Sequence, residues 1–276
     1  MPELPEVQTL VNDLNAAGLI GRRIVETQVF WPKTVALQTP EEFRNLIRNR
    51  NIERIWRRAK FIIFELDHGY YLLVHLRMTG RFHLYPKNDD YRKHEHVSLE
   101  LDDGRELRYH DTRKFGRFYL TKDANSIIGK LGLEPLADDF TFERFAAVIK
   151  KHKRQIKPLL LDQTVIAGLG NIYVDESLWE ARIHPEKIAS SLSRNKLLAL
   201  HKAIPNALRK GLHNMGTTLG SGKANFYSVA RRRGRNQDQL HVFRRTGQEC
   251  PRCGNPIHRL IVGQRSTHIC LHCQKK

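Results

Sequence analysis

Apolar residues recur at Val7, Leu10, Val11, Leu14 and Ala17, a spacing that lays one apolar stripe along a helix. Pro5, just ahead of the stripe, suits an early helical position, where its missing N–H costs nothing. From Arg22 to about Leu120 the period changes. Residues 24–30, 61–66, 70–76 and 96–101 are rich in β-branched and aromatic side chains and read as strands. Asp103-Gly104, between Ser98-Leu99-Glu100-Leu101 and Glu106-Leu107-Arg108-Tyr109, reads as a tight hairpin turn. A second helix is expected over 40–49. From Thr141 the helical period returns, over 142–151, 156–161, 171–181 and 197–213.

These patterns predict an α+β chain. Residues 1–132 form a two-layer β-sandwich with flanking helices, and 133–140, with Pro135 and two aspartates, form a linker. Residues 141–239 form a helical lobe that ends in a loop rich in Gly, Ser and Arg. Residues 240–276 form a small separate module.

Charge narrows the partners. Among 276 residues, Lys and Arg number 47 and Asp and Glu 29, a net +18. Such an excess opposes compaction and serves a polyanion, with nucleic acid ahead of an anionic membrane. The plain alternative is a protein that is merely basic. No long basic amphipathic helix argues for a membrane surface. The opening residues carry Glu3 and Glu6 and no apolar core, unlike a signal peptide, and runs such as Phe61-Ile62-Ile63-Phe64 are too short to span a bilayer. A soluble intracellular protein is expected.

All four cysteines cluster near one end. Cys250-Pro251-Arg252-Cys253 and Cys270-Leu271-His272-Cys273 are two Cys-x-x-Cys knuckles separated by sixteen residues, the length of a β-hairpin. Four thiolates close a tetrahedral shell, so one structural Zn²⁺ is expected, with a pair of redox dithiols as the alternative. His268 and His272 are candidate substitute ligands but read as ordinary polar residues. The hairpin tip, Val262-Gly263-Gln264-Arg265, presents Arg265 outward, suited to a phosphate.

Met1-Pro2-Glu3-Leu4-Pro5-Glu6-Val7 resembles the start of the formamidopyrimidine-DNA glycosylase family. That resemblance implies loss of Met1 and attack by the secondary amine of Pro2 on C1′ of a damaged nucleotide. The chemistry is sound in itself. An α-amine titrates near pH 8, and the adjoining helix start should lower that value. Condensation gives an iminium ion, an electron sink that permits phosphate elimination, and Glu3 is placed to move protons. Taken alone, Pro2-Glu3 would be an unremarkable terminus.

Further resemblances follow in order along nearly the whole chain. Arg57-Arg58-Ala59-Lys60-Phe61 implies a phosphate contact by Lys60. His75-Leu76-Arg77-Met78-Thr79-Gly80 implies His75 near phosphate and Met78 as a wedge for the space left by a flipped base. Asp111-Thr112-Arg113-Lys114-Phe115-Gly116 implies Arg113 at the orphaned base and Phe115 in the stack. The run from Gln163 to Tyr173 resembles a helix–two-turns–helix element with Asn171 on phosphate, and Glu176 matches a glutamate near the site. Gly263-Gln264-Arg265-Ser266-Thr267 matches the zinc-hairpin arginine. The resemblance thus implies Pro2, Glu3, Lys60 and Arg265 as the catalytic set. His75, Met78, Arg113, Phe115 and Asn171 are the implied DNA contacts, and Glu6 and Glu176 are further candidates.

One stretch departs from the family. From Asn225 to Arg235 the chain carries the basic run Arg231–Arg235, and Phe243 stands where a tyrosine is expected. Looser lesion discrimination is the expectation there, with the arginines gripping backbone or merely solvated. The implied enzyme is a bifunctional glycosylase and lyase acting on oxidised purines in double-stranded DNA, or on abasic sites. It is expected to be a monomer in the bacterial cytoplasm. The alternatives are an oxidised-pyrimidine enzyme of the endonuclease VIII type and a non-catalytic binder of damaged DNA on the same scaffold.

Overall fold

The computed structural model describes residues 1–219, 227, 229 and 232–276. The predicted first helix is α1 (Leu4–Ala16), with Pro5 in its first turn and Val7, Leu10, Val11 and Leu14 buried. The second, α2 (Pro40–Ile47), starts from Thr39, whose hydroxyl accepts the Glu42 N–H. It stops short of the expected end because Asn49 turns at φ 61° into the next strand.

Eight strands follow the sandwich expectation. They are β1 (Arg23–Val29), β2 (Arg50–Arg58), β3 (Phe61–Leu66), β4 (Tyr70–His75), β5 (Arg81–Pro86), β6 (Glu95–Leu101), β7 (Arg105–His110) and β8 (Arg117–Thr121), in the order β5-β7-β6-β1-β2-β3-β4-β8. β1 and β2 share only the pairs Arg23–Asn51 and Ile24–Arg50, so the sheet folds at that corner into two four-stranded layers. Aromatic contacts join the layers: Phe64 lies 6.1 Å from Phe82, and Tyr109 lies 5.0 Å from Phe118. Asp103-Gly104 connects β6 and β7, with Gly104 at φ 80°, where a side chain would be strained. A short helix, α3 (Asn125–Ile128), closes this part of the chain.

The chain divides into two compact units, Met1–Lys130 with Asn214–Arg235, and Leu131–His213 with Asn236–Lys276. The expected boundaries at 132 and 239 run straight along the chain; the units do not. Residues 214–235 join the first unit for identifiable reasons. The Thr217 N–H bonds Glu6 at 2.7 Å, Arg232 pairs with Asp13 at 3.1 Å, and Val229 enters the sandwich core. Leu133, expected in a linker, instead bridges Ile166 within the second unit.

The second unit holds α4 (Phe142–Lys150), α5 (Ile156–Leu161), α6 (Asn171–Glu180) and α7 (Arg194–His213), then the hairpin β9 (His258–Val262) and β10 (Arg265–Ile269). A Cβ on Gly211 of α7 would fall 2.4 Å from the Tyr173 hydroxyl of α6, so these helices approach where only glycine fits. Among the described residues no helix is long and apolar enough to cross a membrane.

Candidate active site and metal centre

In the first unit the chain terminus is the focus. Pro2, Glu3 and Glu6 are buried. Glu3 caps α1, and its N–H donates to Glu6 Oε2 at 2.9 Å, while Glu6 Oε1 accepts the Thr217 N–H. Glu6 is therefore a positioning group. The α-amine, carried by Met1 as translated, is held below its ordinary value. Desolvation is the main cause; Lys60 and Arg113 lower it further, and Glu3 and Glu6 oppose them. Four sequence-predicted residues thus act electrostatically on one amine.

Lys60 is buried in the two-residue connection of the β2–β3 hairpin. Ala59 turns that corner at φ 52°, a conformation that costs about 1–3 kcal/mol and holds only where the surroundings demand it.

His75 ends β4. The backbone N–H of Arg77 donates to its Nδ1 at 3.0 Å, and the Phe61 ring packs edge-on at 4.8 Å. Burial, then the charges of Arg77 and Lys60, push its pKa down to about 3. Nδ1 is an acceptor, so the proton sits on Nε2 and the ring offers a neutral donor. Long-range ¹H–¹⁵N spectra at about pH 5 should therefore show His75 neutral, below the ordinary value near 6.5. An imidazolium signal at that pH would contradict this geometry.

Met78, Arg113 and Phe115 stand on two exposed turns that one buried carboxylate ties together. Asp111 accepts the Thr79 hydroxyl and the N–H of Arg113 (3.1 Å) through Oδ1. Its Oδ2 accepts the N–H groups of Phe115 (2.8 Å) and Gly116 (2.9 Å) and the Tyr109 hydroxyl (3.2 Å). Burial works against its ionised form, yet these donors prevail and hold its pKa below the ordinary range. Tyr109 lies between the turns, where a Cβ on Gly80 would fall 2.3 Å, and one on Gly116 1.7 Å, from its hydroxyl. The Arg113 guanidinium lies 4.7 Å from the Phe115 ring, so the two form one projecting unit. The sequence reading missed Asp111 as a functional residue. Its signal was present, an acid opening the Arg113 turn.

In the second unit, Gly168 (φ 93°) and Gly170 shape the turns before α6. Asn171 opens that helix, and its Nδ2 donates to the Ser266 carbonyl at 2.8 Å. The same carbonyl accepts Lys157 Nζ at 3.0 Å, and Lys157 pairs with Asp175 at 2.5 Å, both fully buried. Asp175 also accepts the N–H of His268 at 2.9 Å and its Nδ1 at 3.2 Å. Helix and hairpin are thereby locked around Ser266, next to exposed Arg265. His268 is fixed by this network and is not among the clustered metal donors. Glu176 is an anchor too. Its oxygens accept His241 N (2.8 Å) and Nδ1 (2.9 Å), Val242 N (2.9 Å) and Phe243 N (2.9 Å). Phe243 is buried 5.0 Å from the His268 ring. Asn225 and Arg231 of the divergent loop lie outside the described residues.

The four cysteine sulfurs lie within 4.8 Å of one another. Cys253 to Cys270 and Cys253 to Cys273 are each 3.5 Å, and Cys250 to Cys273 is 4.0 Å. A tetrahedron with Zn–S near 2.3 Å requires sulfurs roughly 3.8 Å apart, so the donors fit zinc. Trp179 Nε1 donates to Cys250 Sγ at 3.3 Å, outside the shell. The cluster binds one structural Zn²⁺. Replacing Cys253 by Ser should release the metal and weaken DNA binding through local unfolding. Freshly purified protein without stoichiometric zinc would contradict the assignment.

Comparisons with known proteins agree along the whole chain. The formamidopyrimidine-DNA glycosylase N-terminal domain matches residues 1–118, and the H2TH domain of the same enzymes matches 131–222. The zinc finger found in FPG and IleRS matches 247–276. The formamidopyrimidine-DNA glycosylase of Protochlamydia amoebophila is 50% identical over 276 residues, covering 100% of both chains. That of Herpetosiphon aurantiacus is 46% identical, covering 99% of this chain and 100% of its own. A Lactococcus lactis FPG variant bound to Fapy-dG containing DNA superposes with a TM-score of 0.92 at 36% identity, covering 100% of both chains. The L. lactis enzyme with abasic-site DNA gives 0.91 at 36% identity, covering 99% and 100%. With this coverage at this identity, the chain belongs to the formamidopyrimidine-DNA glycosylase family.

Proposed function

We propose that this enzyme excises oxidised purines, 8-oxoguanine and formamidopyrimidines, from duplex DNA and then cuts the strand. The observation that carries the reading is the buried Pro2 next to the chain terminus, with Glu3, Glu6 and Lys60 also buried and the Met1 amine lowered by desolvation and by the charges of Lys60 and Arg113. After Met1 is removed, Pro2 supplies a secondary amine. Its nitrogen lone pair attacks C1′ as the N-glycosidic bond breaks. The departing base takes the bonding pair and a proton, and Glu3 is the group placed to relay protons. The ring C1′–O4′ bond then breaks, O4′ keeping the bonding pair and taking a proton to become the C4′ hydroxyl, and the nitrogen lone pair leaves an iminium at C1′. That cation acidifies C2′–H, so β-elimination expels the 3′ phosphate and δ-elimination the 5′ phosphate. Lys60, His75, Asn171 and Arg265 are the proposed phosphate-facing groups. Asn171 also holds the Ser266 carbonyl, so part of its effect is positioning. Met78, Arg113 and Phe115 fill the gap left by the flipped base.

DNA complexes of the Lactococcus lactis enzymes, one with Fapy-dG and one with an abasic site, support this substrate class. Borohydride trapping and single-turnover excision on matched duplexes carrying 8-oxoguanine, thymine glycol or an abasic site test it. Trapping with fastest excision of the purine lesion is expected. Faster excision of thymine glycol would favour the oxidised-pyrimidine reading, and absence of trapping would favour the non-catalytic one. The divergent loop should narrow the margin between lesions. Of its arginines, Arg232 is engaged with Asp13.

A further inference from the structure

At the knuckle end of the zinc module lies an open concavity of about 600 Å³, with Cys253 and Cys273 in its wall. Six cationic side chains line it: Arg182, Lys187, Lys196, Arg252, Lys275 and Lys276. It is separate from the Arg265 position. The β9–β10 ladder runs from Val262–Arg265 at the turn to His258–Ile269 at the base. Those four residue steps span roughly 13 Å at about 3.3 Å each.

Three of the cations have structural duties. Arg252 donates to the carbonyls of Trp179 (2.9 Å) and Glu180 (3.4 Å) and lies 4.0 Å from the Trp179 ring. Lys196 Nζ donates to the Arg182 carbonyl at 2.7 Å. Together they satisfy the C-terminal end of α6, the usual work of basic residues there. Lys276 is neutralised by Glu186 at 2.7 Å. Arg182, Lys187 and Lys275 remain. All three are exposed, and among the described residues no hydrogen bond, ion pair or ring contact occupies their side chains. Arg182 stands at φ 52°, immediately beyond the end of α6.

From this arrangement we infer that the concavity is a second binding site for the phosphate backbone of a DNA strand, independent of the one at which lesions are processed. The remaining cations sit on long, flexible stems around an open basin. Such a surface reads charge and not shape. It suits a polyelectrolyte that releases counterions on binding, and it suits a compact small anion poorly, which needs fixed donors. With both sites filled, one molecule holds two segments of nucleic acid.

The test uses the full zinc-loaded chain, first saturated with an unlabelled duplex carrying a tetrahydrofuran abasic analogue. A fluorescent single-stranded oligodeoxynucleotide of about twelve nucleotides is then titrated in and followed by anisotropy. Binding to the preformed complex is expected. The K187E/K275E variant should weaken that second binding about tenfold or more at low salt, while zinc content and excision on a short lesion duplex stay unchanged. If charge reversal lowers the zinc content, K187Q/K275Q is measured in its place, with loss in the same direction. No binding of the strand to the saturated complex, or equal binding by wild type and variant, would overturn the inference. Displacement of the strand by equimolar inorganic tripolyphosphate would overturn it too, by making this a small-anion site.

Discussion

A protein carrying an uncleaved extension ahead of Met1 should form no borohydride-stable adduct with abasic DNA, and its strand cleavage should fall on the order of a thousandfold or more. The argument is electronic. An α-amine condensed into a peptide bond has no available lone pair, and nothing else in the chain is proposed to make the carbon–nitrogen bond. A thousandfold loss corresponds to about 4 kcal/mol of transition-state stabilisation, a modest figure for removing a covalent path. Pro2→Gly is a weaker test, because it leaves a primary amine able to condense. The blocked chain must bind a tetrahydrofuran duplex and retain its zinc, so that misfolding is separated from chemistry. Mass spectrometry of the wild-type adduct should find Met1 absent and the DNA attached to Pro2. Full-rate nicking by the blocked protein would end the amine mechanism.

Replacing Asp111 by Ala should cost stability and catalysis together, although its carboxylate is buried. Substitution strands the N–H groups of Phe115 and Gly116 and leaves that of Arg113 with the Thr79 hydroxyl alone at 3.2 Å, and each buried donor left unpaired costs about 1–3 kcal/mol. A total of about 3 kcal/mol lowers the melting temperature of a chain this size by roughly 6–12 °C. The turns bearing Met78, Arg113 and Phe115 then lose their common tie. Displacement of wedge groups by about 1 Å is enough to slow excision on the order of a hundredfold. Asp111→Asn, which keeps one acceptor oxygen, should fall between the two. The acid dependence has a definite sign. The folded carboxyl is held below its ordinary value, so its stabilisation is complete above about pH 4 and disappears as pH falls through the lower folded value. An Asp111→Ala protein with unchanged melting and excision would refute the account.

The first helix, the β6–β7 turn and the cysteine module were legible in the sequence, because each has a local signature. Strand β2 was not. Its buried residues Ile52 and Ile55 are three apart, since the register with β3 shifts between Ile52 and Arg54. A bulge hides the two-residue period that betrays a strand. Strand β5, Arg81–Pro86, was hidden by its mixed composition. Asp111, Asp175 and Glu176 show the other limit. Their types and positions were visible, but their partners lie up to 93 residues away, as for Asp175 and His268. The discontinuous first unit was illegible for the same reason. Nothing local at Thr217 announces a bond to Glu6.

That bond has a mechanical consequence. One oxygen of Glu6 receives the N–H of Glu3, one residue from the proposed nucleophile, and the other receives the N–H of Thr217. The carboxylate works as a rigid crank whose two pins are different parts of the chain. Thr217 and Glu3 thus share one carboxylate, and a shift of either N–H acts on the other through it. A substitution that frees the Thr217 N–H therefore also loosens the carboxylate that holds the Glu3 N–H, beside the proposed nucleophile.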